Sequence, residues 1–449
     1  MPRTLGAVAQ ATDGRLVGSD EEFGAVITDS RRMEAGALFV CLHGSHFDGH
    51  DYAAAAAAAG AAGLLASRAV DCELARVEVA DTLAALGRFA RAWRDAQAAQ
   101  VIAITGSNGK TTTKDLLAAV LAQVAPTLAT SGNLNNLIGL PLTLARLNAE
   151  HRYAVVELGT NAPGEIAALA DMAHADAAVI TSIAPAHLAG FGSIEGVARE
   201  KGALFAALGA EGLAVAPAAA SPWLEDWQRA SAARHWVTFG LDADAQVTAH
   251  SIETSATGTF FTLVTPDGSA RVEMRLLGRH NVGNALAAAA AAWSLGVAPD
   301  SIARGLALVR PSAGRLAPQR LVSGALLLDD SYNANPASVA AALAAAAALE
   351  PDVWLVLGDL GELGPESAEW HRRVGRDARA AGVTRLYAFG VLAAEAADAF
   401  GEGGLAATDV ESLAAQLRAQ LATGTVVVVK GSRSAHMERV AAALLEEDG

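Results

Sequence analysis

Apolar and polar positions follow two different patterns along this chain. Short aliphatic runs, such as 101–105 and 153–158, are followed by longer segments in which apolar residues recur at helical spacing. Repeated strand–helix units of this kind are typical of a mostly parallel sheet covered on both faces. From 246 to 277 the spacing shortens to that of alternating strands, and Asp267-Gly268 predicts a hairpin turn. The pattern therefore predicts an α/β protein with a small antiparallel patch beside its main sheet.

The chain divides into three zones along this pattern. Residues 1–100 contain three strand candidates and end in a helical segment from Thr82 to Ala99. Residues 101–311 begin with an apolar strand and carry most of the candidate chemistry. Residues 312–449 repeat the strand–helix rhythm and predict a separate Rossmann-like domain. A chain of 449 residues exceeds one ordinary hydrophobic core, so we expect each zone to be a domain.

Composition and charge argue against several classes of function. The formal net charge of −15 argues against a general binder of nucleic acid or of anionic membranes. The two cysteines, Cys41 and Cys72, are too few for a disulfide framework and lack metal-ligand spacing, which favours a reducing cytoplasm. The longest uncharged stretch, 116–145, is interrupted by prolines and asparagines, and no export signal is visible near Met1. We therefore expect a cytoplasmic protein without stable membrane insertion.

The strongest local signal joins the strand 101–105 to a helical pattern through the segment TGSNGKTTT. Glycines there let backbone N–H groups close around phosphate oxygens, Lys110 can span the β and γ phosphates, and Thr111 can ligate Mg²⁺. The common Walker pattern has glycine where this chain has Ile104, so the loop is a shortened variant, TGxxGKT. The alternative, a chance Gly-Lys-Thr in a turn, is disfavoured because strand, turn and helix fall where the motif requires them. The predicted ATP-binding residues of this loop are Gly106, Ser107, Asn108, Gly109, Lys110, Thr111 and Thr112.

Further polar side chains follow predicted strands, at the edge where open α/β sheets bind ligands. Glu157 follows an apolar strand, and its carboxylate suits Mg²⁺, although a strand-end acid can also cap a neighbouring group. His187 likewise follows a strand, 179–183, but a lone histidine is more often a structural residue.

Two other candidates are ambiguous on local evidence. The amide-rich loop of Asn133, Asn135 and Asn136 could bind a polar substrate or form turns. Lys201 lies in a helical segment between Arg199 and Glu200, and this pattern alone predicts a solvated surface lysine.

Eight motifs, taken together, favour the functional interpretation of these residues. In chain order they are TGSNGKTTTKD, GNLNNLIGLPLTL, VVELGTNAPGEI, AREKGALF, GRHNVGNALAA, DDSYNANPAS, LGDLGELG and VKGSRSAHME. From residue 28 to residue 439 the chain resembles the Mur ligase family. DDSYNANP and LGDLGELG favour the member that adds D-alanyl-D-alanine to UDP-N-acetylmuramoyl-tripeptide. The resemblance implies a monomeric enzyme of peptidoglycan synthesis, with a UDP-sugar-binding α/β domain, a central P-loop ATPase domain and a Rossmann-like C-terminal domain.

For the first zone, the resemblance implies contact with the uridine diphosphate end of the substrate. The candidate residues are Ser30, Arg31 and the loop 43–50, in which Gly44, Asp48 and Gly49 are singled out. The chemistry agrees, because an arginine can donate two parallel hydrogen bonds to a diphosphate and glycines let the backbone approach it closely.

The resemblance also implies two Mg²⁺ ions. Thr111 and Glu157 would hold one of them between the β and γ phosphates, and His187 and Lys201 would reach the second. Lys201 could do so only after carbamylation, in which CO₂ converts the amine into an anionic oxygen ligand, because an unmodified ammonium repels a metal. Carbamylation of Lys201 is a hypothesis.

The remaining site residues are carried over from the same resemblance. Asn281 would contact adenine with His280 beside it, although both also suit a helix-capping turn. Arg315 would contact phosphate, and Asp330 would contact ribose. The substrate-binding set would include Asn133, Asn135, Asn136, Asn333 and Lys430, while Tyr332 and Asn335 would surround the nucleotide and Ser432 and Arg433 would lie near the dipeptide. We expect ATP to close the C-terminal domain onto the centre.

Alternatives remain open at this point. The diaminopimelate- or lysine-adding sibling and folylpolyglutamate synthetase share the central motifs. A nucleotide switch is disfavoured because the sequence has no Asn-Lys-x-Asp guanine-reading motif. A catalytically inactive scaffold is disfavoured because the set Lys110, Thr111, Glu157, His187 and Lys201 is complete. The third residue of the tripeptide cannot be read from the sequence.

Overall fold

The N-terminal part of the chain forms a five-stranded sheet of short strands. The computed structural model describes residues 1–44, 47–241 and 244–446. The elements of this part are α1 (Leu5–Thr12), β1 (Arg15–Val17), β2 (Val26–Ile27), β3 (Leu38–Val40), α2 (Ala53–Ala58), β4 (Gly63–Ala66), β5 (Arg76–Glu78) and α3 (Thr82–Asp95). The strand order is β1-β5-β4-β3-β2, with β1 antiparallel to β5 and the other pairs parallel.

The central part is built on a six-stranded, all-parallel sheet. Its elements are β6 (Gln100–Thr105), α4 (Lys110–Ala122), β7 (Thr127–Ala129), α5 (Gly139–Leu144), β8 (Tyr153–Glu157), α6 (Glu165–Ala173), β9 (Ala177–Ile180), α7 (Leu188–Phe191), α8 (Ile194–Ala206), β10 (Leu213–Pro217), α9 (Ser221–Ala230) and β11 (His235–Phe239). The order is β11-β10-β9-β6-β8-β7, so β6 lies between β8 and β9. The carboxyl ends of these three strands therefore meet at one edge, which is where ligands bind in open sheets.

A three-stranded antiparallel sheet flanks this parallel sheet, which confirms the predicted patch. It is followed by two helices, and the elements are β12 (Thr248–Ser255), β13 (Gly258–Thr265), β14 (Gly268–Met274), α10 (Arg279–Ser294) and α11 (Pro299–Leu308). Helix α10 contacts strands of both sheets, and its residues from 285 to 292, which are seven alanines and Leu286, are all fully buried. Small side chains let this helix lie close to two sheets at once.

The C-terminal part contains the second six-stranded sheet. Its elements are β15 (Ala317–Arg320), β16 (Leu326–Asp330), α12 (Pro336–Ala347), β17 (Asp352–Gly358), α13 (Ser367–Ala380), β18 (Arg385–Phe389), α14 (Val391–Phe400), β19 (Gly404–Ala407), α15 (Val410–Arg418), β20 (Thr425–Lys430) and α16 (Glu438–Leu445). The order is β15-β16-β20-β17-β18-β19, and only β15 is antiparallel to its neighbour. The sheet is thus mixed, with a parallel Rossmann-like centre.

Helix α3 connects the first zone to the second. It packs against α5 and α6, and its Phe89 and Trp93 belong to the same buried cluster as Leu144 and Leu169. The Trp93 indole N–H also donates to the Leu147 carbonyl at 3.0 Å. The exact boundaries after residues 100 and 311 remain predictions. Within the described ranges, we find no helix with both the length and the apolar character needed to cross a bilayer.

Candidate active site

The loop between β6 and α4 has the geometry of a phosphate cradle. Gly106 and Gly109 have φ values of 154° and 82°, which disfavour other residues. A Cβ on Gly106 would lie 1.9 Å from Thr181 Oγ1, and one on Gly109 would lie 2.0 Å from Asn284 Oδ1. Helix α4 begins at Lys110, so the positive end of its dipole faces the loop. Both glycines are therefore required by the fold of the loop.

Lys110 folds back over this loop. Its Nζ donates a hydrogen bond to the Gly106 carbonyl at 2.9 Å. Burial lowers the pKa of Lys110, the Glu157 carboxylate opposes that shift, and the nearby Arg315 guanidinium adds to it. Two cations crowded beside a buried carboxylate favour the binding of an anion between them.

Glu157 and Thr111 form the polar centre of the site. The Thr111 hydroxyl donates to Glu157 Oε2 at 2.8 Å, and the Asn135 amide donates to Oε1 at the same distance. The Glu157 backbone N–H is held by Thr130 Oγ1 at 3.0 Å, and the residue is only 3% exposed. A hydroxyl and a carboxylate side by side are hard oxygen ligands that fit Mg²⁺. The described residues contain no group of three or more His, Cys, Asp or Glu side chains that could hold a metal by themselves, so phosphate and water oxygens would have to complete its shell.

A cleft of about 1080 Å³ opens over this centre, a volume large enough for more than one substrate. Both the central and the C-terminal parts of the chain line it. Of the sequence-predicted residues, the cleft is lined by Ser107, Asn108, Gly109, Lys110, Thr111, Thr112, Asn133, Asn135, Asn136, Glu157, His187, His280, Asn281, Arg315, Asp330, Tyr332, Asn333, Asn335, Lys430, Ser432 and Arg433. The structure thus brings together residues that are distant in sequence.

Two contacts join the phosphate loop to the C-terminal side of the cleft. Arg315 Nη2 donates to Thr111 Oγ1 at 3.1 Å, and the guanidinium lies 4.2 Å from the centre of the Tyr332 ring. The Asn335 amide donates to Asn108 Oδ1 at 2.7 Å. Asn335 also caps the N-terminus of α12, so this helix and the phosphate loop are fixed relative to each other.

Asp330 and Lys430 are paired across neighbouring parallel strands, β16 and β20. Their side chains form a buried ion pair, and Lys430 Nζ also donates to the Asn333 carbonyl at 3.0 Å. Burial raises the pKa of Asp330 against the opposing effect of Lys430. The Lys430 ammonium is therefore engaged inside the protein, beside the residue that was expected to contact ribose.

Asn281 and His280 begin helix α10 at the rim of the cleft. The Asn281 amide donates to the Leu277 carbonyl at 2.8 Å and its oxygen accepts from Asn284 at 2.9 Å, so a role in the helix start is present as well. Burial, with a smaller effect of Lys430, lowers the pKa of His280 to about 4. His280 is therefore neutral at physiological pH.

Lys201 is buried, and the expectation of a surface lysine from its charged neighbours is wrong. It is 1% exposed. Its neighbour Glu200 is also buried and accepts the N–H groups of Gly164 and Ile166, both at 2.8 Å. Burial and the Lys110 ammonium lower the pKa of Lys201 well below its usual value, against the opposing effect of Glu200. Lys201 is not among the residues that line the cleft. A lowered pKa raises the fraction of neutral amine, which is the form that reacts with CO₂.

Relatives of known identity match the chain along its length. Three family models match in succession: the Mur ligase family catalytic domain at 22–94, the Mur ligase middle domain at 104–292, and the Mur ligase glutamate ligase domain at 314–433. The UDP-N-acetylmuramoyl-tripeptide–D-alanyl-D-alanine ligase of Escherichia coli is 44% identical over 99% of this chain and 98% of its own length. This chain belongs to the Mur ligase family. The corresponding ligase of Bacillus subtilis is 34% identical over 99% of this chain and 98% of its own.

Solved structures agree with this membership. MurF from Acinetobacter baumannii superposes with a TM-score of 0.92 at 35% identity, covering 100% of this chain and 99% of that one. The MurF ligase from Thermotoga maritima in complex with ADP superposes with a TM-score of 0.84 at 26% identity, covering 94% and 96%. The protein therefore has the three-domain fold of the Mur ligases, with the antiparallel sheet in its middle domain.

The expected UDP-binding residues of this Mur ligase lie apart from the cleft lining. Arg31 Nη2 forms an ion pair with Asp29 Oδ2 at 2.8 Å. To bind a diphosphate, Arg31 would have to leave this ion pair. Asp48 accepts from the His50 backbone at 2.9 Å, and a Cβ on Gly49 would lie 2.8 Å from Leu42 N. Asp48 and Gly49 thus have structural reasons for their identity. Ser30 and Gly44 belong to the described residues. Ser45 and His46 of the loop 43–50 lie outside the described residues.

Sequence reasoning missed several cleft residues that contact predicted ones, and Glu362 is one of them. The Glu362 carboxylate contacts the Nδ1 side of the His187 ring, and His187 lowers the pKa of that carboxyl group through this contact. Glu362 belongs to the motif LGDLGELG, which favours the Mur ligase family but by itself indicates no chemical role for this carboxylate. Its pairing with His187 could not be read from the sequence, because the two residues lie in different domains.

Proposed function

We infer that this Mur ligase joins D-alanyl-D-alanine to UDP-N-acetylmuramoyl-tripeptide at the expense of ATP. The products are UDP-N-acetylmuramoyl-pentapeptide, ADP and phosphate, in peptidoglycan synthesis. The observation that carries the proposal is the meeting, in one cleft, of the phosphate loop, the Thr111–Glu157 pair and Arg315. Ligases of that name are 34% and 44% identical to this chain over 99% of its length, which supports this choice of substrates.

In this proposal the loop 106–112 holds the ATP phosphates, and Lys110 leaves the Gly106 carbonyl to span the β and γ phosphates. Asn281 faces adenine and Asp330 faces ribose. Thr111 and Glu157 would hold one Mg²⁺, and His187 with a carbamylated Lys201 would reach a second. When bound, these ions neutralise phosphate charge that would otherwise repel an attacking carboxylate.

The protein's own part in the reaction is positioning and charge neutralisation. The terminal carboxylate of the tripeptide attacks the γ phosphorus in line, which forms an acyl phosphate and releases ADP. Lys110 and Arg315 stabilise the negative charge that spreads over the transferred group. The amine of D-alanyl-D-alanine then attacks the activated carbonyl carbon, and phosphate leaves from the tetrahedral intermediate after the nitrogen has lost its proton.

The three domains are proposed to divide this work. Residues 1–100 hold the uridine diphosphate end through Ser30, Arg31 and the loop containing Gly44, Asp48 and Gly49. Residues 101–311 bind the phosphates. Residues 312–449 close over the cleft with ribose and dipeptide contacts, including Asn333 and Lys430. Closure excludes water, which would hydrolyse the acyl phosphate.

A matched substrate screen tests the proposal. Purified protein is incubated with ATP, Mg²⁺ and each UDP-N-acetylmuramoyl peptide in turn, and with either D-alanyl-D-alanine, meso-diaminopimelate, lysine or glutamate. We expect the mass of the pentapeptide product with D-alanyl-D-alanine alone. A preference for one of the three amino acids would instead indicate a sibling Mur ligase or a folylpolyglutamate synthetase. These substrates imply a cytoplasmic enzyme, and we propose that it acts as a monomer.

A further inference from the structure

Glu362 and His187 meet across the cleft from two different domains. His187 follows β9 and begins α7, and Glu362 lies in the loop between β17 and α13. The carboxylate contacts Nδ1 of the imidazole, and both residues line the cleft. A carboxylate beside Nδ1 favours the tautomer that carries its proton on Nδ1, which leaves Nε2 with the free lone pair.

The contact is supported by the backbone on both sides. The Ala189 N–H donates to the Glu362 carbonyl at 3.3 Å, so the two loops are joined twice. Glu362 and His187 both have left-handed backbone conformations, with φ of 61° and 53°. Non-glycine residues adopt this conformation at a cost of about 1 kcal/mol or more, and such strain collects at functional sites.

The loop that carries Glu362 is anchored from within its own domain. His371 is fully buried, and its Nε2 accepts the Leu360 N–H at 2.9 Å while its Nδ1–H donates to the Ser367 carbonyl at 2.6 Å. On the other side, the Ser432 hydroxyl donates to the Asp359 carbonyl at 2.6 Å. The backbone of this loop is therefore anchored in its own domain, while the Glu362 side chain is 54% exposed and His187 is 20% exposed.

We propose that Glu362 is a positioning residue that fixes the tautomer and the direction of His187 when the C-terminal domain closes. The inference rests on the proposed function of this cleft. His187 then presents Nε2 to the reacting groups only in the closed state, because the carboxylate that orients it belongs to the closing domain. Closure would thus complete the site as well as exclude water.

The test compares the wild type with Glu362→Gln and Glu362→Ala, and uses Glu366→Ala as a matched control. Glu366 is an exposed carboxylate in the same loop and does not line the cleft. The first readout is the ¹⁵N spectrum of histidine-labelled protein, in which His187 is assigned with His187→Gln. We expect the Nδ1–H tautomer in the wild type and in Glu366→Ala, and its loss in Glu362→Ala. An unchanged tautomer in Glu362→Ala would overturn the proposal.

The second readout is steady-state kinetics. We expect kcat to fall about 10- to 100-fold in Glu362→Ala, as for other residues that orient a functional imidazole. KM for ATP should be unchanged, and Glu362→Gln should recover part of kcat because its amide oxygen can still accept from Nδ1–H. Wild-type kcat in both Glu362 variants would contradict the role. Failure of the proposed function would appear differently, as a wild-type protein that makes no product.

Discussion

The Arg315 guanidinium reaches the phosphate loop from the C-terminal side of the cleft, with Nη2 3.1 Å from Thr111 Oγ1. The same hydroxyl donates to Glu157 at 2.8 Å. One threonine therefore connects the proposed metal-binding carboxylate to the arginine of the C-terminal part. This arrangement links the position of the C-terminal domain to the geometry at the proposed γ-phosphate site.

Replacing Arg315 tests that link. We expect Arg315→Ala to lower kcat by about 100-fold or more, because it removes a preorganised cation from the charge that develops on the transferred phosphoryl group. Arg315→Lys should recover only part of the loss, since a point charge cannot fork between two oxygens. Arg320→Ala is a suitable control, because Arg320 lies on the adjacent strand and does not line the cleft. Equal kcat values for Arg315→Ala and Arg320→Ala would remove Arg315 from the mechanism.

Glu157→Gln should change the dependence on Mg²⁺. The amide keeps the shape of the side chain but loses the anionic oxygen that suits a hard cation. We expect the Mg²⁺ concentration for half-maximal activity to rise by about 10-fold or more, measured at saturating substrates. Glu150→Gln, at an exposed position before β8, should behave like the wild type. An unaltered Mg²⁺ curve for Glu157→Gln would mean that the carboxylate does not bind the metal.

Lys201→Ala should abolish most of the activity if the buried amine carries a carbamate. Short carboxylic acids supplied in the assay should then restore part of it, because they replace the missing anionic oxygen ligand. Removal of CO₂ and bicarbonate should slow the wild type and leave Lys201→Ala unaffected. Full activity of Lys201→Ala without added acids would refute the hypothesis.

His280 should make folding stability fall as the solution becomes acidic. Its pKa is lowered from 6.5 to about 4 by burial, so between these values the unfolded chain binds a proton that the folded protein does not. The stability is complete above the unfolded pKa and is lost as pH falls toward the folded pKa. Between pH about 7.5 and about 5, we expect the wild type to lose about 2 kcal/mol more unfolding free energy than His280→Asn. Denaturant titrations measure this, and parallel pH curves for the two proteins would contradict it.

The sequence predicted the centre of the site better than its edges. The phosphate loop and Glu157 were predictable because each follows a buried apolar strand, and parallel strands place such positions at one sheet edge. The three-residue strand β1 and the two-residue strand β2 were missed because so short a run has no readable period. The antiparallel edge strand β15 was also missed, since its sequence, Ala317–Arg320, contains a proline and polar residues.

Burial and contacts between domains could not be predicted. Lys201 appeared to be a surface residue because its neighbours are charged, yet Glu200 is buried by the N-terminus of α6, an element that precedes it by a strand and a helix. The pairing of Glu362 with His187 and of Asn335 with Asn108 depends on how two domains meet. No local pattern encodes that geometry.

The central claim is that the tripeptide carboxylate is activated by direct transfer of the γ-phosphoryl group. It is tested most directly with UDP-N-acetylmuramoyl-tripeptide labelled with ¹⁸O in its terminal carboxylate, in a reaction with ATP and D-alanyl-D-alanine. An acyl phosphate requires one ¹⁸O atom from each carboxylate to leave in the released phosphate, and mass spectrometry should find it there. Phosphate free of ¹⁸O, in a reaction that still yields the pentapeptide, would contradict the account.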